Sequence, residues 1–110
     1  MKALSPEQVQ KMLAKPSAAK KQPESYILGA VRDWARAHGW FVFRMQQGLG
    51  CHKGIADLCA VKGGRTVWLE IKTPTGKQSD YQIVFQAQIE EHGGEYAVCR
   101  CVEDAQEALS

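Results

Sequence analysis

Residues 54–72, GIADLCAVKGGRTVWLEIK, decide the fold of this chain. Two runs with the composition of β-strands, residues 57–61 and 66–72, lie on either side of Gly63-Gly64. A Gly-Gly pair is a favoured centre for a two-residue hairpin turn, because both residues can take a positive φ. The stretch therefore predicts an antiparallel hairpin.

The turn also predicts the register of this hairpin. Lys62 faces Arg65, and five positions further along each strand Asp57 faces Glu70. Residues two apart on a strand share a face, so Lys72 projects on the same side as both carboxylates. Such paired carboxylates, with Cβ atoms about 5 Å apart, repel each other unless a cation lies between them. The pattern favours a divalent metal site; the alternative is an ion-pair trio on an exposed sheet face, which contributes little stability.

Helices and two further strands are predicted around the hairpin, whose other face carries the core residues Val67, Leu69 and Ile71. Tyr81, Phe85 and Ile89 form the apolar stripe of the second helix. The fold class is therefore α/β, a small mixed β-sheet flanked by helices in the order α-β-β-β-α-β-α. The elements are a helix over 24–38, a strand over 40–45, the two hairpin strands, a helix from Ser79 to Gly93-Gly94, a strand over 96–102 and a helix over 103–109.

Charge is unevenly divided along the chain. Residues 1–77 carry 13 Lys and Arg against 5 Asp and Glu, a net charge of +8, whereas residues 78–110 carry 1 against 7, a net charge of −6. This asymmetry favours contact with a polyanion, although a solvated surface without a partner is the alternative. Residues 1–22 are expected to form an N-terminal helix, over 4–14, and a basic linker, and residues 23–110 the domain itself. Apolar runs are far shorter than the roughly 20 residues that span a bilayer, and no signal-peptide core is recognised, so a cytoplasmic location is expected.

The motif around the hairpin resembles a known nuclease pattern. Gly54-Ile55-Ala56-Asp57, followed after twelve residues by Glu70-Ile71-Lys72, is similar to the PD-(D/E)XK motif, with Ala56 where the motif has Pro. Further residues extend the resemblance to the virus-type replication-repair nuclease (VRR-NUC) branch, over roughly residues 24–107; they are Gly64-Arg65, Thr73-Pro74, Gly76-Lys77, Gln82, Gly93-Gly94 and Val102-Glu103-Asp104-Ala105. The resemblance implies a restriction-endonuclease-like core and metal-dependent hydrolysis of phosphodiester bonds in DNA.

The chemistry of that reaction explains the central residues. Asp57 and Glu70 are the predicted ligands of Mg²⁺ or Mn²⁺, which prefer hard oxygen ligands. The resemblance adds the backbone carbonyl of Ile71 to this ligand set. Lys72 would orient or help deprotonate the attacking water and stabilise the charged transition state.

Further site residues are expected at the edges of this centre. Glu24, in the first turn of the long helix, is expected to face inward and complete the metal site; the alternative is an ordinary Glu favoured by the helix dipole. Gln82 has two competing roles, since the resemblance places it in the active site while Ser79 and Gln82 also match a capping box. The candidate phosphate contacts are Arg44, Lys53 and Lys77.

Stand-alone domains of the VRR-NUC branch resemble Holliday-junction resolvases, which implies branched DNA as substrate and a bacterial or phage-infected cell as the setting. Two symmetric cuts by a chain with one active site would require a C2 homodimer, with an interface on the second helix or the N-terminal helix. One alternative is a branched-DNA-binding module without catalysis, which would gain nothing from two carboxylates beside a polyanion. The other, a sequence-specific restriction-type nuclease, would need more chain for base readout.

Overall fold

The computed structural model describes Pro6 and residues 22–110. Its elements, in chain order, are α1 (Glu24–Ala37), β1 (Phe41–Arg44), β2 (Leu58–Lys62), β3 (Arg65–Ile71), α2 (Asp80–Glu91), β4 (Glu95–Cys99) and α3 (Val102–Ala108). This order confirms the predicted α/β class. The helix predicted over 4–14 lies, apart from Pro6, outside the described residues. In the described part of the chain, no helix has both the length and the apolar character needed to cross a membrane.

The sheet has four strands in the order β1-β2-β3-β4. The first three strands are antiparallel, whereas β4 runs parallel to β3 and is reached through α2. Gly63 and Gly64 have φ values of 56° and 83°, so both take the positive φ that the predicted turn requires. Leu58 pairs with Leu69 across the hairpin, which confirms the predicted register.

The main core lies between one face of the sheet and the two helices α1 and α3. The buried side chains from the helices are Ile27, Leu28, Val31, Ala35 and Ala105, and those from the sheet are Val42, Leu58, Ala60, Val67, Leu69, Ile71 and Cys99. Burial of each larger aliphatic side chain contributes about 1.5 to 3 kcal/mol. The predicted core face of the hairpin is therefore confirmed, and the opposite face is left for the site.

The helix α2 covers that opposite face. The buried Phe85 ring packs edge-on against Trp68, with ring centroids 5.5 Å apart. Tyr81 is 57% exposed, with its ring 5.0 Å from the ammonium group of Lys53, so the predicted apolar stripe is wrong at its first position. The reason is that Gln82, the next residue, turns toward the sheet and binds Glu70.

The last strand is shorter than predicted, because the chain leaves the sheet after Cys99. The backbone N–H of Arg100 donates to Asp104 Oδ2 at 2.8 Å, which replaces a ladder hydrogen bond. The guanidinium of Arg100 donates to the carbonyl oxygens of Thr73 and Gly76, both at 2.6 Å. Arg100 thereby fixes the segment that follows β3, and α3 starts at Val102.

Candidate active site

The open end of the hairpin brings Asp57 and Glu70 together. Asp57 directly precedes β2, and Glu70 is the penultimate residue of β3. The backbone N–H of Ile71 donates to Asp57 Oδ2 at 2.8 Å, so the carboxylate of Asp57 is held at the end of β3. Both side chains lie on the face that α2 covers, as the hairpin register predicted.

Glu70 is the only polar or charged side chain that is buried within the described residues, at 1% exposure. Its Oε2 accepts a hydrogen bond from Gln82 Nε2 at 2.7 Å and lies 3.6 Å from Lys72 Nζ. Its Oε1 is also buried but has no hydrogen-bond partner among the described residues. An unpartnered buried carboxylate oxygen is costly, so Oε1 calls for a further partner, which is either a proton shared with the neighbouring Asp57 or a cation.

The electrostatics of Glu70 follow from this environment. Burial is the largest effect and the negative charge of Asp57 the second, and together they raise the pKa of Glu70 from 4.5 to about 8, against the opposing effect of Lys72. Without a cation, the pair therefore holds a proton at neutral pH. The trio cannot be a set of exposed surface ion pairs, because the side chains of Glu70 and Lys72 are only 1% and 12% exposed.

Gln82 both completes the capping box of α2 and donates a hydrogen bond to Glu70, so the two roles that the sequence set against each other do not exclude one another. Its backbone N–H donates to Ser79 Oγ at 3.2 Å, and its Oε1 accepts from the backbone N–H of Ser79 at 2.8 Å, which completes the capping box of α2. Since Oε1 is occupied by an N–H donor, Nε2 is the end that faces Glu70. The start of α2 and the orientation of the Glu70 carboxylate are thus fixed by one side chain.

The acidic pair fits a hard divalent cation. A cation at Glu70 Oε1 would satisfy the unpartnered oxygen and would relieve the repulsion between the two carboxylates. The Ile71 carbonyl points to the same side of β3 as its N–H, which is the side of Asp57. The described part of the chain has no group of three or more His, Cys, Asp and Glu side chains that could hold a metal. Two carboxylates and backbone oxygen suit Mg²⁺, which keeps several of its waters.

Glu24 does not join this centre. Its side chain is exposed, so the prediction that it faces inward is wrong. The buried stripe of α1 begins one turn later, at Ile27, and Glu24 remains in the first turn, where the helix dipole favours a negative charge.

The three predicted phosphate contacts, Arg44, Lys53 and Lys77, are all exposed. Arg44 is paired with Leu58, the residue after Asp57. Arg44 is two residues after the buried Val42 on β1, so both side chains project on the face that α1 covers. The ammonium of Lys53 lies over the Tyr81 ring, at the first turn of α2. Lys77 follows directly after Gly76, whose carbonyl Arg100 holds.

Tyr96 is a neighbour of the site that the sequence did not reveal. Burial, and next the negative charge of Glu70, raise the pKa of the Tyr96 phenol above its ordinary value. Gln78 Nε2 donates to Tyr96 Oη and to Gln86 Oε1, both at 3.1 Å, which ties the phenol to α2. Tyr96 is brought to the site by the parallel pairing of β4 with β3, which sets Tyr96 beside Trp68. The sequence alone does not give this pairing.

Gly54 allows the glycine-rich loop between β1 and β2, residues 45–57, to approach α2 closely. Its φ is +81°, and a Cβ at this position would overlap the backbone carbonyl of Tyr81. The loop that precedes Asp57 and the start of α2 are therefore packed backbone against backbone.

Comparison with models of known protein families finds no match, and comparison with curated protein sequences finds none either. The fold class is thus shown by the structure, as an α/β domain with a four-stranded mixed sheet and three helices in the described residues. The chemistry of the site has to be argued from its own residues.

Proposed function

We propose that this chain is a metal-dependent endonuclease that hydrolyses phosphodiester bonds in DNA and prefers branched DNA. The observation that carries the proposal is the buried oxygen of Glu70, which is beside Asp57 and lacks a partner in the described residues. The resemblance of the surrounding sequence to PD-(D/E)XK nucleases of the VRR-NUC branch supports the same chemistry. The asymmetric charge of the chain supports a polyanionic substrate.

Each residue of the centre has a defined task in this proposal. Asp57, Glu70 and the Ile71 carbonyl would hold Mg²⁺ or Mn²⁺, which when bound neutralises negative charge on the phosphate and lowers the pKa of a water. Lys72 keeps its ammonium group beside the acidic pair, where it can donate to a phosphate oxygen or to the attacking water. Gln82 holds the Glu70 carboxylate in one orientation.

Binding of DNA would use positive charge around the centre. Lys53 lies near the first turn of α2, and Lys77 follows the segment fixed by Arg100. Arg44, at the end of β1, projects on the α1 face and would contact DNA only outside the centre. Phosphate contacts of this kind position a duplex without reading its sequence. A preference for DNA shape over base sequence is consistent with them.

Symmetric cleavage of a junction would require two copies of the chain. Two exposed apolar groups are candidates for a C2 interface. One is on α2, where Ile83 and Val84 are 51% and 53% exposed, and the other is on the edge strand β1, where Phe41 and Phe43 pack together in the open. The first lies on an element that the sequence had suggested for the interface.

Cleavage of an end-labelled four-way junction and a matched linear duplex tests the proposal. The wild type is compared with Lys72→Ala in Mg²⁺, in Mn²⁺ and in EDTA. Metal-dependent paired nicks near the branch, absent in Lys72→Ala, are expected. Lys62→Ala is the matched control, because it removes the same charge at the opposite end of the hairpin.

The control should cut like the wild type. If all three proteins bind the junction equally and none cuts it with either metal, the nuclease proposal is refuted and a structure-selective binding module replaces it. If the linear duplex is cut as fast as the junction, the preference for branched DNA is refuted while the hydrolytic chemistry stands.

A further inference from the structure

An aromatic cleft lies beside the acidic pair and has no role in the proposed hydrolysis. Its volume is 380 Å³, and it is formed between α2, β3 and the glycine-rich loop. The floor consists of Trp68, Phe85 and Ile89, and the rim of His52, Gln88 and His92.

The cleft has both kinds of contact that a planar heteroaromatic ring needs. The rings of Trp68 and His52 flank Phe85, with centroids 5.5 Å and 5.7 Å from it, and provide apolar surface for stacking. The Gln88 amide and the two imidazoles place hydrogen-bonding groups at the mouth. His92 Nδ1 is already hydrogen-bonded to the Gln88 carbonyl, which directs its Nε2 away from the helix.

The size of the cleft suits one base. A cavity of about 150 Å³ is enough for benzene, so a cleft of 380 Å³ accommodates a bicyclic purine with room for its sugar.

The position of the cleft connects it to the candidate active site. Trp68 and Glu70 are two residues apart on β3 and share a face, which separates their Cα atoms by roughly 7 Å. Phe85 lies one helical turn after Gln82, the residue that binds Glu70. A nucleotide whose phosphate lies at the acidic pair would therefore carry its base, or a neighbouring base, to this cleft.

We propose that this cleft binds an unpaired nucleobase of the DNA substrate. The inference rests on the proposed function, since it places the phosphate of the same strand at Asp57 and Glu70. Bases at a branch point are the ones that leave the stack at least cost, and aromatic pockets with polar rims recognise such bases. The cleft would then select branched over continuous DNA.

The test compares two single strands of equal length and charge, an oligodeoxyadenylate and a strand of abasic sites, in Ca²⁺, a cation with oxygen ligands that can occupy the acidic pair, and both strands are checked for cleavage after the measurement. Affinity is measured by fluorescence anisotropy. The wild type is expected to bind the base-bearing strand at least about five-fold more tightly, from the usual contribution of one stacked base. Its tryptophan emission should be quenched by that strand alone, and the quenching should be absent in Trp68→Phe.

Two substitutions at exposed positions and one in the floor of the cleft separate an effect on base binding from an effect on folding. Gln88→Glu changes the exposed rim and should reduce the preference for the base-bearing strand. Gln106→Glu introduces the same charge on the exposed face of α3 and should leave the preference unchanged. Trp68→Leu removes stacking surface and should abolish the preference; its fold is checked by urea unfolding.

Equal binding of both strands by the wild type, with unchanged emission, would overturn the proposal. So would an equal preference for the base-bearing strand in the wild type and in Trp68→Leu, because the base would then be bound outside the cleft. Failure of the nuclease proposal is a distinct result: loss of all cleavage with a persistent base preference refutes hydrolysis and leaves the cleft. Intact cleavage without any base preference refutes only the cleft.

Discussion

The buried carboxyl of Glu70 makes the stability of the metal-free protein depend on pH. Burial, and then the negative charge of Asp57, raise the pKa of Glu70 from 4.5 to about 8. Between these values the folded protein keeps a proton that the unfolded chain has lost. The contribution to stability is therefore complete below the unfolded pKa and declines as the pH rises toward 8. At about 1.4 kcal/mol per pH unit, the free energy of unfolding falls by about 3 to 4 kcal/mol between pH 5 and pH 8.

Replacement of Glu70 by Gln removes this titration and keeps the size of the side chain. Urea unfolding in EDTA at several pH values from 5 to 8 measures the effect. The free energy of unfolding should decline with pH in the wild type and stay level in Glu70→Gln, so the variant becomes the more stable protein near pH 8. The series ends at pH 8 because of Cys99. Burial raises the pKa of its thiol to about 12, whereas the thiol of the unfolded chain ionises above about pH 8, so Cys99 would also make the free energy of unfolding depend on pH in that range.

Glu91→Gln is the matched control, since Glu91 is an exposed glutamate at the end of α2. It should retain the slope of the wild type. The same pH dependence in the wild type and in Glu70→Gln would refute the reasoning, because it would mean that Glu70 titrates in the folded protein as it does in the unfolded chain.

Three further predictions concern the residues around this carboxyl. Mn²⁺ should raise the free energy of unfolding of the wild type by about 2.7 kcal/mol at a concentration 100 times the Kd, measured by urea unfolding. At one fixed Mn²⁺ concentration the increase should be larger at pH 8 than at pH 6, and Asp57→Asn should remove it. Gln82→Ala should destabilise the protein by about 2 to 4 kcal/mol in urea unfolding, because it loses the capping bond that the Gln82 side chain accepts from the Ser79 backbone N–H and the hydrogen bond that it donates to a buried carboxyl. Ser79→Ala, which loses only the cap, should cost about 1 kcal/mol, and equal losses would contradict a separate role at the site. Gly54→Ala should lower the thermal midpoint far more than Gly48→Ala. Both glycines have a positive φ, but only at Gly54 would an added Cβ overlap backbone atoms of another segment. Similar midpoints of the two variants would contradict the close packing of the loop against α2.

The hairpin could be predicted from sequence because its turn depends on two residues. Positive φ at Gly63 and Gly64 fixes the turn type, and the turn type fixes which residues oppose each other. The faces of both strands follow by alternation, which brought Asp57 and Glu70 together without knowledge of the rest of the fold. The fold class could also be predicted from local patterns. The periodicity of apolar residues distinguishes helices from strands, and the order of these elements along the chain indicates an α/β fold.

The depth of the site could not be predicted in this way. Glu70 is buried because α2 packs on its face, and the position of α2 depends on the parallel pairing of β4 with β3. No local pattern encodes that register, so Tyr96 was missed. Tyr81 and Glu24 were misplaced for a related reason: periodicity identifies a helix face, but the turn at which a helix meets the sheet depends on its packing.

The buried Glu70 carboxyl lowers the stability of the metal-free protein, which suggests that it is present for a function rather than for stability. A buried carboxyl with one unpartnered oxygen, beside a second carboxylate, destabilises the folded chain near neutral pH, and a glutamine at the same position would avoid the penalty. Gln82 and Lys72 reduce the penalty at Oε2 but leave Oε1 without a partner in the described residues. Binding to DNA alone does not call for this arrangement, because two acidic side chains repel a phosphate. A cation between the two carboxylates would supply Oε1 with a partner and would offset their mutual repulsion. The proposed metal site therefore accounts for the part of the structure that stability alone does not explain.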